Sequence, residues 1–293
     1  MAADISVVIA TFRPGSMIND CISALLDQRG PHAAEIIVVD SSADGTSDRL
    51  RREFPSITVV ALHRQTHQSV ARSVGIRHAT APLIAITDQD CVPASDWLQR
   101  LLSRHNEGHY GAVGGAILNG TPHSIVGTAS YLIEFNEYIP VGESRLVPMI
   151  PHCNICFRRE IFQTVGTLRP VPPGAEDLVF NFLLVQNGEK IMFDPDITVT
   201  HQNRTKLFSF FRHQHLLGYG SAAARRAVPM PGRFFVEHPT FCVAMPPLRI
   251  ARTAFRLCST RFWPFLQYLL LLPILLPGYF FWASGFHAGA KKT

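Results

Sequence analysis

The chain has 293 residues, 47% of them hydrophobic, enough to bury one large core or a core with an appendage, and this excludes a disordered tail. The net charge is +5, but the late arginines Arg249, Arg252, Arg256 and Arg261 make that excess local, which argues against a nucleic-acid partner. Six cysteines lack secretory spacing, and Cys153-x-x-Cys156 has no second pair to close a zinc site, so reduced thiols in the cytoplasm are expected. From Asp4 onward the sequence enters a strand-like run without a signal-peptide pattern. Segments 5–10, 35–40, 57–61, 83–87 and 112–117 read as strands, and 18–27, 47–54, 69–79 and 96–104 as helices. That alternation predicts an α/β fold with an open, mostly parallel central sheet flanked by helices, which binds ligands at the carboxyl ends of its strands.

The chemistry-bearing residues fall at those ends. Thr11 to Pro14 follow the first strand, Asp40 closes the second, and Asp88-Gln89-Asp90 closes the fourth. Two carboxylates at i and i+2, where a strand gives way to a loop, suit a hard divalent cation, although the same pair also serves as an ordinary capped turn. Segment 120–151, rich in Gly, Pro and aromatics without a clean period, is expected to be a mobile loop or acceptor lip. A helix is expected near Arg159. The run Pro170-Val171-Pro172-Pro173-Gly174 then delivers Glu176-Asp177 to the start of a helical segment, where an acidic pair also suits the helix dipole. Two strands follow, 191–193 and 197–200, with His201 at the exit of the second.

In order and spacing the blocks Ala10-Thr11-Phe12-Arg13-Pro14, Val38 to Thr46, Ala71 to Gly75, Asp88-Gln89-Asp90, Asn154 to Arg159, Glu176-Asp177 and Pro195 to His201 resemble the family 2 glycosyltransferases, over roughly residues 5–219. The resemblance implies the GT-A fold, with a Rossmann-like nucleotide half, and inverting sugar transfer from a nucleotide-sugar. Residues 1–225 would form the transferase domain, with a nucleotide-binding half at about 1–118 and an acceptor half at about 119–225. Residues 226–293 would form a basic, hydrophobic, membrane-associating helical segment. Thr11, Arg13 and Asp40 would line the base and ribose, with Asp40 favouring uridine, and Arg72 would reach the nucleotide. Asp88, Asp90 and His201 would hold Mn2+ or Mg2+, Asp177 would be the general base, and Glu176 and Asn154 would contact the acceptor.

Two departures stand out: Gln89 at the centre of the metal motif, and Gly166-Thr167-Leu168-Arg169 where the family often has Gly-Phe-Asp. The Gln-x-x-Arg-Trp signature of processive synthases is missing, which favours single addition over polymerisation. The other readings are a nucleotidyltransferase, which would normally show a glycine-rich phosphate loop after the first strand, and an inactive transferase-like scaffold on the membrane.

Segment 262–286 holds 25 residues without a charge, long enough to span a bilayer, but Pro264, Pro273 and Pro277-Gly278 interrupt it, so spanning helix, hairpin and interfacial segment all stay open. Lys291 and Lys292 argue against crossing, and a buried C-terminal helix or dimer contact is a further reading. A lipid-linked or glycan acceptor at the cytoplasmic face of the cell membrane fits a membrane segment of this kind, and an oligomer is compatible with it.

Overall fold

A computed structural model of the chain describes residues 3–30, 33–171, 174–260 and 262–291. Pro172, Pro173, Arg261 and Lys292, which entered the sequence argument, lie outside the described residues. In chain order the elements are β1 Ile5–Thr11, α1 Met17–Leu26, β2 Ala34–Asp40, α2 Thr46–Glu53, β3 Thr58–Ala61, α3 Gln68–His78, β4 Leu83–Asp88, β5 Cys91–Pro93, α4 Trp97–Glu107, β6 Ala112–Asn119 and α5 Ile125–Phe135. They continue with β7 Arg145–Val147, β8 Asn154–Arg158, α6 Ile161–Thr164, α7 Glu176–Gln186, β9 Ile191–His201, α8 Leu207–Ala227, α9 Phe234–Glu237, a 3-10 turn Pro239–Ala244, α10 Met245–Thr260, α11 Phe262–Leu270 and α12 Leu272–Lys291. The chain folds as two compact units: Met1–Leu118 with Glu143–Pro170 and Phe180–Thr200, and Asn119–Gly142 with Val171–Val179 and His201–Thr293.

The first unit is built on the sheet, whose strand order is β3-β2-β1-β4-β8-β6-β9-β5, with β7 beside β9. Strands β3, β2, β1 and β4 run parallel to one another, and β8 runs antiparallel to both β4 and β6. Every residue of β1 is buried, as a strand covered on both faces requires. That register sets Thr11 opposite Asp40 and Ala10 opposite Asp88, so the ends of β2, β1 and β4 stand side by side.

Two sequence expectations are corrected. Segment 120–151 is not a loop: it contains α5, with Ser124 Oγ accepting from Gly127 N at 3.0 Å as its cap. Residues 127–133 are all buried, so this helix is covered all round and leaves no amphipathic period to read. Segments 191–193 and 197–200 are one strand, β9, which runs through Pro195 without a break.

In the second unit α12 packs along α8. A Cβ at Gly218 would overlap the carbonyl oxygen of Trp282, and one at Gly285 would overlap that of His215, so both glycines are needed for this approach. Helices α11 and α12 are bent by 80° where they meet, and no single described helix is long and apolar enough to cross a membrane.

Candidate active site

At the exits of β1 and β2 the backbone is held in unusual conformations. Arg13 and Ala43 have φ of 46° and 53°, a region that non-glycine residues enter only when their surroundings fix them. Arg13 N donates to Ser42 Oγ at 2.7 Å, tying the two exits together. Asp40 is buried; its carboxylate accepts from Ser42 N at 2.9 Å and from Ser47 Oγ at 2.6 Å, and so shapes the turn that opens α2. A base N–H would have to use the lone pairs these two bonds leave. Arg13, Gly15, Ser16, Asp44, Thr46 and Arg49 line an open cleft beside these exits.

Gln89 explains the departure at the centre of the acidic motif. Its side-chain carbonyl accepts from Thr11 Oγ1 and, at 3.0 Å, from Phe12 N, so it clamps the β1 exit to the β4 exit. An aspartate there would have to reach the same two donors with a shorter side chain. Arg72, buried on α3, forms an ion pair with Asp88, which also accepts from Gln68 Nε2 at 3.1 Å. The Arg72 fork thus serves Asp88 directly.

Asp88 and Asp90 also make themselves felt beneath the surface. Burial raises the Cys21 thiol, and the Asp90 and Asp88 carboxylates raise it further. A concentrated negative field with two hard oxygen donors at its source is the environment a divalent cation stabilises.

Asn154, expected at the acceptor, is fully buried: its Oδ1 accepts from Trp97 Nε1 at 2.7 Å, and its Nδ2 donates to the carbonyls of Ala116 and Ile197 at 2.8 and 2.9 Å. The side chain ties β8 to its neighbours in the sheet and turns inward, so it has no role at the acceptor.

The remaining expected residues belong to the second unit. Glu176 and Asp177 open α7; Glu176 is buried, and Asp177 is half-buried with Oδ1 accepting from Leu178 N at 2.7 Å. His201 is buried at the end of β9, its ring 4.9 Å from that of Phe135. His201 Nδ1 lies 3.0 Å from Asn203 Oδ1, and Asn203 Nδ2 donates to Asn119 Oδ1 and to the His201 carbonyl at 2.9 and 3.1 Å. Those acceptors fix the Asn203 amide, so its oxygen must accept from Nδ1–H, and in the neutral ring the lone pair falls on Nε2. That is the tautomer a metal ligand needs, held by a neighbouring polar group. An imidazole nitrogen so held is a donor that Mn2+ accepts, as the carboxylates of Asp88 and Asp90 in the first unit are hard oxygen donors for Mn2+ or Mg2+. Sequence reasoning missed Gln89, Asn203 and Asn119 as supporting residues; the Asp-Gln-Asp and His-Gln-Asn strings were their visible traces.

Glu134 on α5 is a further charge, its side chain only 10% exposed. It accepts from Ser130 Oγ and Gln214 Nε2, both at 2.9 Å, and lies 3.3 Å from His213 Nε2. Burial alone would raise its carboxyl, but His213, Arg204 and His201 together outweigh burial and hold the pKa at about 2. A depressed carboxyl pKa stabilises the fold above the unfolded value of roughly 4.3, and that contribution, on the order of 3 kcal/mol, drains as the pH falls toward 2. In metal-free buffer Glu134→Gln should lower the melting temperature at neutral pH and flatten its decline between pH 5 and pH 3. Parallel wild-type and variant profiles would refute the ion network.

The pattern of glycosyl transferase family 2 matches residues 6–166. The chain is similar to glycosyltransferase AglE of Haloferax volcanii, 24% identical over 206 residues that cover 68% of this chain and 67% of the relative. It is similar also to the pre-mycofactocin glycosyltransferase of Mycobacterium tuberculosis, 24% identical over 243 residues, or 78% of this chain, and it spans only 49% of that relative. Among solved structures it resembles the mannosyltransferase PcManGT from Pyrobaculum calidifontis in complex with GDP-Man and Mn2+, with a TM-score of 0.61 at 20% identity, covering 99% of this chain and 85% of that one. At that identity the likeness speaks for the fold.

Proposed function

The chain belongs to glycosyl transferase family 2, and from that premise we propose that it moves a sugar from a nucleoside diphosphate donor onto a hydroxyl of a glycan or lipid-linked acceptor, with inversion at the anomeric carbon. The observation that carries this reading is the row of side chains at the ends of β2, β1 and β4: Asp40, Thr11 with Arg13, and Asp88 with Asp90. Thr11 and Arg13 lie along the base and ribose, and Asp40 reads a ring N–H, which favours uridine. Arg72 holds Asp88 in place through their ion pair. Asp88, Asp90 and His201 would hold the cation, and what bound Mn2+ or Mg2+ supplies there is positive charge against the departing diphosphate.

Asp177 takes the proton of the acceptor hydroxyl as that oxygen attacks from the face opposite the leaving group. Glu176 supports the start of α7 on the acceptor side. Alignment matters as much as basicity, because the anomeric carbon develops oxocarbenium character. The acceptor is presented at the cytoplasmic face of the cell membrane.

The test is release of nucleoside diphosphate from UDP-, GDP-, dTDP- and CDP-sugars, with Mn2+ and with chelator. One base class should turn over, only with metal, and the UDP-sugars are the expected class. Turnover confined to GDP-sugars would remove the Asp40 reading and keep the rest. If no donor turns over and no diphosphate binds, the chain is a scaffold.

A further inference from the structure

We infer that this chain rests on an anionic lipid bilayer through the outward faces of α10 and α11, while α12 stays packed on α8 and does not cross. The inference deepens the membrane part of the proposed function and rests on that part alone.

The exposed apolar side chains are distributed unevenly. Among the described residues, the first unit exposes five large ones, whereas twelve fall between Phe234 and Phe281. On α10, Leu248, Arg252 and Phe255 recur at helical spacing on the exposed face, while Thr253 and Leu257 are buried on the opposite face. Tyr268 Oη donates to the Ile250 carbonyl at 3.1 Å, which folds α11 back along α10. With Tyr268 turned inward, Phe262, Trp263 and Leu270 are left 71%, 70% and 71% exposed.

Charge identifies what covers this surface. Residues 201–293 hold twelve Lys and Arg against the single acid Glu237, leaving −6 on the first 200 residues of a chain that totals +5. At α10, Arg252 and Arg256 share one carboxylate, Glu137, at 3.4 and 2.8 Å, and the Arg252 side chain is 69% exposed. A second copy of the chain would bring like charges together across a two-fold interface. An anionic bilayer surface offers the opposite charge, an apolar layer for Phe255 and Leu270, and the headgroup level that Trp263 favours.

Helices α11 and α12 together have the apolar length to suggest a span, but the buried face of α12, including Leu275, Tyr279, Trp282 and Phe286, is already occupied. The backbone approaches at Gly218 and Gly285 join it to α8, so a crossing would carry α8 along. That would take Arg212 and the buried contact of Gln214 and His213 with Glu134 into hydrocarbon, where such groups are strongly disfavoured.

The test uses the full chain without donor, metal or acceptor. It should float with phosphatidylcholine vesicles containing phosphatidylglycerol, bind pure phosphatidylcholine more weakly, and lose the difference at high salt. The variant Phe255→Ser/Trp263→Ser/Leu270→Ser should keep its melting temperature, since these side chains are exposed, and partition at least roughly tenfold more weakly. In wild-type membranes, lipids brominated near the headgroup should quench the tryptophans more than deeply brominated ones, and a C-terminal tag should be digested from the same side as the transferase unit. Undiminished flotation of the variant, a tag reached only from the opposite side, or a lipid-free wild-type dimer that the variant abolishes would each overturn the inference. Diphosphate binding on the same preparations separates the two readings: vesicle binding that fails while diphosphate binding persists removes this surface alone.

Discussion

Asp177→Asn is expected to lower transfer by roughly 10²–10⁴-fold while leaving binding of the donor and its diphosphate intact. Asp177 is the second residue of α7, and its Oδ1 accepts from Leu178 N at 2.7 Å, a bond the amide oxygen of asparagine can keep. The substitution removes one negative charge from the helix start, worth about 0.3–1 kcal/mol, too little to unfold the chain. Lost turnover would therefore report lost proton acceptance, because asparagine cannot take the acceptor's proton. Turnover number and calorimetric diphosphate binding, measured side by side, decide the matter. Glu176→Gln is the control: Glu176 is buried and its Oε2 accepts from Ala175 N at 3.2 Å, so its substitution should act through the geometry of the helix start and leave the pH profile of turnover in place. Full activity in Asp177→Asn would dismiss it as the base, and an equal loss of diphosphate binding would show that it holds the donor instead.

The strand ends were legible in the sequence because two regularities coincide there. A run such as Ile5 to Ala10 is apolar at every position but Ser6, which a strand buried on both faces requires, and the first polar residues after it must stand at the carboxyl edge. What lies at the sheet edge could therefore be read, but the direction of each side chain could not. Asn154 shows the difference: its block was recognised, yet its amide is spent between Trp97, Ala116 and Ile197, residues far apart in sequence that only the folded sheet assembles. Asn203 and Asn119 were invisible for the same reason, since they meet across 84 positions. Helix α5 escaped because sequence periodicity reports one wet face and one dry face, and this helix has little wet face to report. Pro195 divided β9 in the reading because proline removes a ladder donor, but the strand carries on past it.

Asp90→Ala should abolish metal-dependent stabilisation by nucleoside diphosphate and, with it, transfer. A ligand at about 100 times its dissociation constant adds roughly 2.7 kcal/mol to the folded state, so wild-type protein with diphosphate and Mn2+ should melt several degrees higher than with either alone. The variant should lose that synergy and keep its basal melting temperature, because Asp90 lies at the surface end of β4, beyond the buried core of the strand. Asp88→Ala should behave differently. Asp88 is an ion-pair partner of the buried Arg72, so removing it takes a carboxylate from a buried guanidinium and should lower basal stability by about 3–5 kcal/mol in addition to losing the synergy. The two acids therefore have separable signatures, one purely ligand-dependent and one mixed. Equal basal losses in both variants would mean that the Arg72 pair does not set Asp88 apart, and a synergy that survives Asp90→Ala would remove Asp90 from the metal site.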